Sequence, residues 1–185
     1  MVMKRGRAEQ RREPTDSLMR RHLGKLPAYS PGNAPMSLLM KILMSPSGLA
    51  FDRALVRWSG ESLLNRVFAR QAGFAPQPAL LLETRGRRSG TPRQAVLPWF
   101  RIDGKLMVVG SKGGMPTDPA WVSNLRARPD VSVYIARKRH AARARIATGE
   151  ERAALWTALT ARVPTYAHYQ SLTTREIPVV ILEIA

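Results

Sequence analysis

Apolar residues follow two different rhythms along this chain, and the change falls near Pro78. From Met36 to Met44 the run Met-Ser-Leu-Leu-Met-Lys-Ile-Leu-Met sets Met36, Met40 and Met44 on one helical stripe. That pattern predicts a short helix laid over the core; a Met-rich lid or a shallow membrane contact is the competing use of the same residues. Residues 49–72 continue with Phe51, Leu55, Trp58, Leu63, Leu64, Val67 and Phe68 at helical spacing, with an interruption at Ser59-Gly60. Residues 36–78 therefore read as a helical region.

Beyond Pro78 the rhythm is that of strands. Ala79–Glu83 is a short buried strand and Gln94–Ile102 a second. Asp103-Gly104 makes a two-residue hairpin turn of type I′, because both positions tolerate positive φ, and Lys105–Ser111 returns as a third strand. Asp118 as N-cap with Pro119 at the first helical position opens a helix that ends near Arg128-Pro129. Val131–Ala136 alternates, turns at Lys138-Arg139 and returns as His140–Ala147. Thr148-Gly-Glu-Glu151 is a capping box for a helix to about Arg162, followed by a short helix over Pro164–Thr173 and a closing strand over Ile177–Ile184. Hairpins rather than crossover helices predict an α+β fold, a mainly antiparallel barrel of about six strands over residues 79–185 with flanking helices.

Composition narrows the partners. The 185 residues suit a single domain, and 30 Lys plus Arg against 13 Asp plus Glu leave a net charge of +17. Nucleic acid, an anionic membrane surface and a polyanionic small molecule are the candidate partners. There is no cysteine, which removes disulfides, thiol catalysis and zinc–thiolate sites. His22, His140 and His168 are far apart with no metal-ligand spacing, so no metal site is expected. No run approaches the ~18 apolar residues of a membrane span. Residues 1–35 are basic, then rich in Pro and Gly, and read as a flexible arm without a signal-peptide core. The cytoplasm is the expected compartment, with the arm able to rest on anionic lipid.

Chemistry concentrates in two loops. Arg85, Arg87, Arg88 and Arg93 crowd a Ser89-Gly90 turn between two strands. Guanidiniums so close repel one another unless an anion sits among them, and their planar forks suit phosphate or carboxylate. A solvated basic face is the bland reading of the same residues. Ser111-Lys-Gly-Gly114 follows the third strand, where adjacent glycines let backbone N–H groups converge on an acceptor. The helix after Pro119 points its positive end at the same mouth.

Five ordered motifs resemble one family. Thr84-Arg-Gly-Arg-Arg-Ser-Gly-Thr-Pro-Arg93, Gly110-Ser-Lys-Gly-Gly114, Asp118-Pro-Ala-Trp-Val-Ser-Asn-Leu125, Arg128-Pro-Asp-Val131 and Tyr166-Ala-His-Tyr-Gln170 with Ile177-Pro178 are similar to the deazaflavin-dependent nitroreductases. The resemblance covers about Leu80 to Ala185 and implies a split β-barrel, of the type that also binds FMN, holding coenzyme F420. It implies that Arg87, Arg88, Ser89 and Arg93 meet the coenzyme's phosphate and oligoglutamate tail. Gln94, Ala95, Val96, Leu97 and Pro98 would run beside the ring, and Val109, Gly110, Ser111, Lys112 and Gly113 would meet its polar edge. Ala120, Trp121, Val122, Ser123 and Asn124 would close the site. Tyr166 would flank the coenzyme and Tyr169 the substrate, with Ser111 polarising the group reduced, so that Ser111, Tyr166 and Tyr169 are the catalytic candidates. The alternative for the two tyrosines is core filling near Trp156. Arg88 stands where relatives often carry Lys, and Trp99 where smaller residues are common.

The activity so implied is hydride transfer from F420H2 to a quinone-like, nitro or other conjugated electrophile. An FMN-binding split-barrel oxidoreductase is the nearest alternative. A non-enzymatic protein binding nucleic acid or anionic membrane is the more distant one. For nucleic acid, the second basic cluster (Arg137, Lys138, Arg139, Arg143, Arg145) has only Tyr134 beside it as an aromatic, so no specific nucleic-acid binding is expected.

Overall fold

In a computed structural model of the chain, the described residues are 38–71 and 75–185. The basic arm, residues 1–35, lies outside them, as does Met36. Three helices come first: α1 (Leu38–Leu43), α2 (Pro46–Ser59) and α3 (Leu63–Gln71). The expected methionine stripe is not one buried face. Helix α1 ends at Leu43, so Met40 and Leu43 are buried while Met44 falls in the turn and is exposed. Helix α2 starts three residues before the apolar rhythm does, because Ser45 accepts from the Gly48 N–H and Pro46 takes the first helical position. Gly60, at φ 80°, ends it as expected. Buried Asp52 then accepts from the Ser62 hydroxyl at 2.8 Å and the Leu64 N–H at 3.2 Å, fastening the start of α3 to the middle of α2.

Six strands follow: β1 (Ala79–Arg85), β2 (Pro92–Ile102), β3 (Lys105–Val109), β4 (Asp130–Ile135), β5 (Lys138–Ile146) and β6 (Val179–Ile184). They close a barrel in the order β1-β2-β3-β6-β5-β4, every pairing antiparallel. The expected barrel is therefore present, and Asp103 and Gly104 form its β2–β3 turn at φ 49° and 74°. The β4–β5 turn is two residues earlier than expected. Ile135 pairs with Lys138, so Ala136 and Arg137 take positive φ, and neither residue type signals that.

Alternation along each strand makes two apolar layers. Leu80, Leu82, Val108, Val133, Ala144 and Leu182 point inward, joined by Val122 and Leu125 of α4 (Ala120–Ala127). Met107, Val109 and Ile181 point outward against Leu155 and Leu159 of α5 (Gly149–Arg162) and the rings of α6 (Thr165–Ser171). A separate outer cluster seats Val56 of α2 on Ala79, Leu81 and Tyr134. Each fully buried Leu or Ile contributes about 1.5–3 kcal/mol. These two faces hold the barrel together.

Two expected caps are used otherwise. The N-cap of α4 is Pro119, one residue later than predicted, because the Asp118 carboxylate is taken by Arg126 and Arg175. Thr148 stands at the N-cap of α5 as expected, but no side-chain cap bond forms there. Glu151 turns instead to Arg145 of β5, which it meets through two hydrogen bonds, and to Lys105 of β3. A bidentate guanidinium outcompetes one backbone N–H for a carboxylate.

Candidate functional site

Antiparallel closure gathers the ends of β1, β3 and β5 and the starts of β2, β4 and β6 at one rim. Both basic loops leave from that rim, and α4 plugs it. In the β1–β2 turn the Gly86 N–H donates to Thr91 O at 2.9 Å and the Gly90 N–H to Gly86 O at 2.8 Å. A Cβ on Gly86 would stand 2.7 Å from the Ser89 hydroxyl, which would have to turn away from its place in the turn. That hydroxyl, expected to meet an anion, lies 2.7 Å from the Thr91 hydroxyl and accepts from the Thr91 N–H, so it shapes the turn first. Buried Asn124 pins the turn to α4. Its Oδ1 accepts from the Arg87 N–H at 3.0 Å and its Nδ2 donates to the Thr84 hydroxyl at 3.1 Å.

The side chains of Arg87, Arg88 and Arg93 leave this anchored turn for solvent, and none has a carboxylate partner among the described residues. Arg128 adds a fourth guanidinium, reaching the Gly86 carbonyl from the end of α4 at 3.5 Å. Along β2, Ala95, Leu97 and Trp99 face the barrel interior yet are only half-buried, leaving an apolar shelf beside the arginines. Trp99 thus faces inward. Gln94 and Val96 point the other way: Gln94 bonds Glu83 and Val96 packs toward the Val56–Tyr134 cluster. Gln94–Pro98 is consequently not a single lining surface.

The second loop folds as a 3₁₀ turn over Lys112–Gly114. Val109 is buried in the outer layer, and the Gly110 N–H donates to Pro178 O. Ser111 is right-handed and Lys112 has φ 48°, the alternation that aims consecutive N–H groups at one point. The loop's own bonds use the Gly114 and Met115 N–H groups. Those of Ser111, Lys112 and Gly113 have no acceptor among the described residues. A Cβ on Gly114 would lie 2.7 Å from the Tyr169 carbonyl, so only glycine lets α6 close on this turn.

Helix α4 presents Trp121 and Val122 to the interior, Asn124 to the arginine turn, Ser123 half-buried and Ala120 exposed. Tyr166 and Tyr169 lie edge-to-face with ring centroids 6.1 Å apart, and Phe100 meets Tyr166 at 5.7 Å. Both tyrosines are buried in the layer between α5 and the barrel, with Trp156 at its margin. Burial, reinforced by Tyr169, pushes the Tyr166 phenol well above its ordinary pKa, so it stays protonated and can donate. Sequence reasoning missed Arg175, the hub of this rim. Its guanidinium bonds the carbonyls of Gly110, Ser111 and Met115 and the Asp118 carboxylate. All but the last are backbone acceptors, which leave no side-chain pattern to read.

A depression of about 340 Å³ lined by Arg101, Lys105, Arg145 and Glu183 lies at the opposite rim. Arg145 and Lys105 are already paired there with Glu151. Arg101, which donates to the Gly104 carbonyl, is the depression's one arginine without a carboxylate partner among the described residues, against three on the arginine turn.

An antiparallel barrel whose rim carries unmatched guanidiniums, unmatched N–H groups and an apolar shelf has a rim suited to a ligand that is part anionic and part apolar. The comparisons give the family. A profile for F420H2-dependent quinone reductases matches residues 65–184, and the chain belongs to that family, whose members are oxidoreductases using coenzyme F420. An F420H2-dependent quinone reductase of Mycobacterium tuberculosis is 38% identical over 108 residues, 57% of this chain and 72% of the relative. The solved F420-H2 dependent reductase FDR-A is 41% identical, with a TM-score of 0.52 over 57% of this chain and 94% of that one. A structure described as a domain-swapped dimer is 36% identical, with a TM-score of 0.52 over 64% and 92%. Family membership decides the coenzyme for F420 over FMN and sets aside a protein without chemistry.

Proposed function

We propose that this chain reduces a quinone-like electrophile, with nitro compounds as further substrates, at the rim between the arginine turn and the glycine loop. Arg87, Arg88 and Arg93, with Arg128 beside them, bind the phosphate and glutamate tail of F420 through charge-assisted bonds. The free N–H groups of Ser111, Lys112 and Gly113 orient the polar edge of the ring, and Ala95, Leu97 and Trp99 keep water from its face. When bound, the reduced deazaflavin supplies a hydride. The Ser111 hydroxyl and Tyr169 meet the negative charge that develops on the substrate oxygen, and Tyr166, protonated throughout the physiological range, supports them as a neutral donor. A quinone gains that hydride and one solvent proton to become a quinol.

The observation that carries this reading is the trio of guanidiniums without carboxylate partners on a turn clamped by Asn124. Fluorescence titration of the purified protein with F420 tests it directly. Saturable binding that excess FMN does not displace is expected; equal displacement by FMN would overturn the assignment of the arginine turn to the F420 tail. Quinone-dependent oxidation of F420H2 by the same preparation is the companion measurement.

A peripheral position on anionic lipid, from the cytoplasmic side, accompanies this reading. No helix among the described residues is long and apolar enough to cross a membrane. The support is an exposed set on α1 and α2 (Leu38, Leu39, Ile42, Phe51 and Trp58) beside Lys41 and Arg57. Flotation with anionic and neutral liposomes is the test, and equal recovery with both ends this part. Nucleic acid is expected to bind only through salt-sensitive charge attraction.

A further inference from the structure

We infer that Arg175 is the positioning residue of the glycine loop: it turns the loop's N–H groups toward the coenzyme by holding its carbonyls from behind. The inference rests on the F420 reading above and goes beyond it to a residue that touches neither coenzyme nor substrate. Arg175 lies in the link between α6 and β6 with its side chain only 14% exposed. Its Nη2 donates to Gly110 O at 3.1 Å and to Ser111 O at 2.8 Å, and its Nε to Met115 O at 2.9 Å. Its Nη1 meets Asp118 Oδ1 at 2.8 Å, and Asp118 in turn pairs with Arg126 of α4.

Peptide planarity converts those bonds into directions. In a trans peptide the carbonyl and the following N–H point oppositely. Holding the Gly110 carbonyl therefore aims the Ser111 N–H away from Arg175, and holding the Ser111 carbonyl does the same for Lys112. These are two of the three N–H groups without an acceptor among the described residues. The loop needs such support, because Lys112 sits at φ 48°, which a side-chain-bearing residue adopts at a cost. The Asp118–Arg126 link ties the same guanidinium to α4, the helix that clamps the arginine turn through Asn124. One residue thereby sets the ring-binding loop relative to the phosphate-binding turn. Lys cannot substitute, since a point-like ammonium does not reach three carbonyls and a carboxylate in one plane.

The test uses the full chain with Arg175→Ala, Arg175→Lys and, as a control for stability alone, Leu159→Ala in the α5 core. Amide hydrogen exchange of the coenzyme-free protein reports on the loop. Exchange at Gly114 and Met115, whose N–H groups bond the loop's own carbonyls, should accelerate about 10-fold or more in both Arg175 variants. Leu159→Ala should lower the melting temperature and leave that exchange unchanged. Titration with F420 should show affinity reduced on the order of 10- to 100-fold in both Arg175 variants, the worth of one or two misaligned hydrogen bonds. Leu159→Ala, assayed well below its melting temperature, should bind as wild type does. Wild-type affinity in Arg175→Ala, full recovery in Arg175→Lys, or unchanged loop exchange each overturns the inference. If the wild-type protein fails to bind F420, the functional reading fails, and the exchange experiment still decides whether Arg175 orders the loop.

Discussion

Two basic regions of this molecule have similar charge and opposite meaning. On β5, Arg139, Arg143 and Arg145 pair with Glu83, Asp130, and Glu151 with Glu183, while Arg137 lies over the Trp58 ring and Lys138 has no carboxylate partner among the described residues. On the β1–β2 turn, Arg87, Arg88 and Arg93 pair with nothing among the described residues. The scarce carboxylates go to three arginines of one group and to none of the other. A count of cations therefore says little about where an anion binds. What locates the site is positive charge left over on a backbone that is itself held still.

The sharpest way to break that comparison is to remove equal charge from each region. Arg88→Ala with Arg93→Ala should weaken F420 binding by ~100-fold or more, since charge-assisted bonds contribute roughly 1.5–3 kcal/mol each. Arg139→Ala with Arg143→Ala should change it by less than about 2-fold, because Glu83 and Asp130 already neutralise those two charges. Matching losses from the two pairs in one titration series would show that net charge, rather than unpaired charge, drives binding.

Asn124 accounts for the stillness of the arginine turn's backbone. Asn124→Ala removes the donor to the buried Thr84 hydroxyl, leaving it only its 3.5 Å bond to Arg93 O, and releases the Arg87 N–H, at a cost of ~1–3 kcal/mol of stability. F420 affinity should fall roughly 10-fold although every arginine remains, as expected for losing preorganisation. Denaturant melts and titration on the same sample separate the two effects. A drop in stability with unchanged affinity would reduce Asn124 to a core polar residue.

Most of the local geometry of this rim could be read from the chain, and the failures share a cause. The arginine turn, the glycine pair and the barrel hairpins announce themselves through local residue types: Gly at positive φ, Asp-Gly in a turn, alternation along a strand. The α4 cap and the α5 capping box mislead because Asp118 and Glu151 carry the right side chains at the right spacing. Their carboxylates are claimed by arginines from elsewhere in the fold. Arg175 was invisible for the converse reason: its partners are 57 to 65 residues earlier, and mostly backbone. Long-range bonds to backbone leave no pattern to find. The Tyr166 and Tyr169 pair was correctly placed on one helix, but the sequence could not show that burial keeps the Tyr166 phenol neutral.

That burial has its own alkaline signature. The folded-state pKa of Tyr166 is raised, so its contribution to stability is complete below the ordinary tyrosine value of about 10 and is lost as pH climbs beyond it. Tyr166→Phe should leave the melting temperature at pH 7 nearly unchanged and flatten its decline above about pH 10. An identical alkaline decline in the variant would assign the effect to other groups.

The smallest effect belongs to the paired region and completes the contrast. Hydrogen bonding to Arg145 holds the Glu151 carboxyl below its usual pKa, with Lys105 adding to it. A depressed carboxylate stabilises the fold above its unfolded pKa, and that contribution fades as pH falls through the folded one. Glu151→Gln should therefore lower the melting temperature slightly at neutral pH and converge with wild type in acid, with F420 affinity untouched throughout. The pair sits partly in solvent, where such bridges contribute little, so the shift should be a few degrees at most. A melting curve series from neutral to acid pH shows whether the two proteins converge. If Glu151→Gln instead weakens coenzyme binding, the opposite rim is coupled to the site, and paired arginines are not the silent half of this molecule.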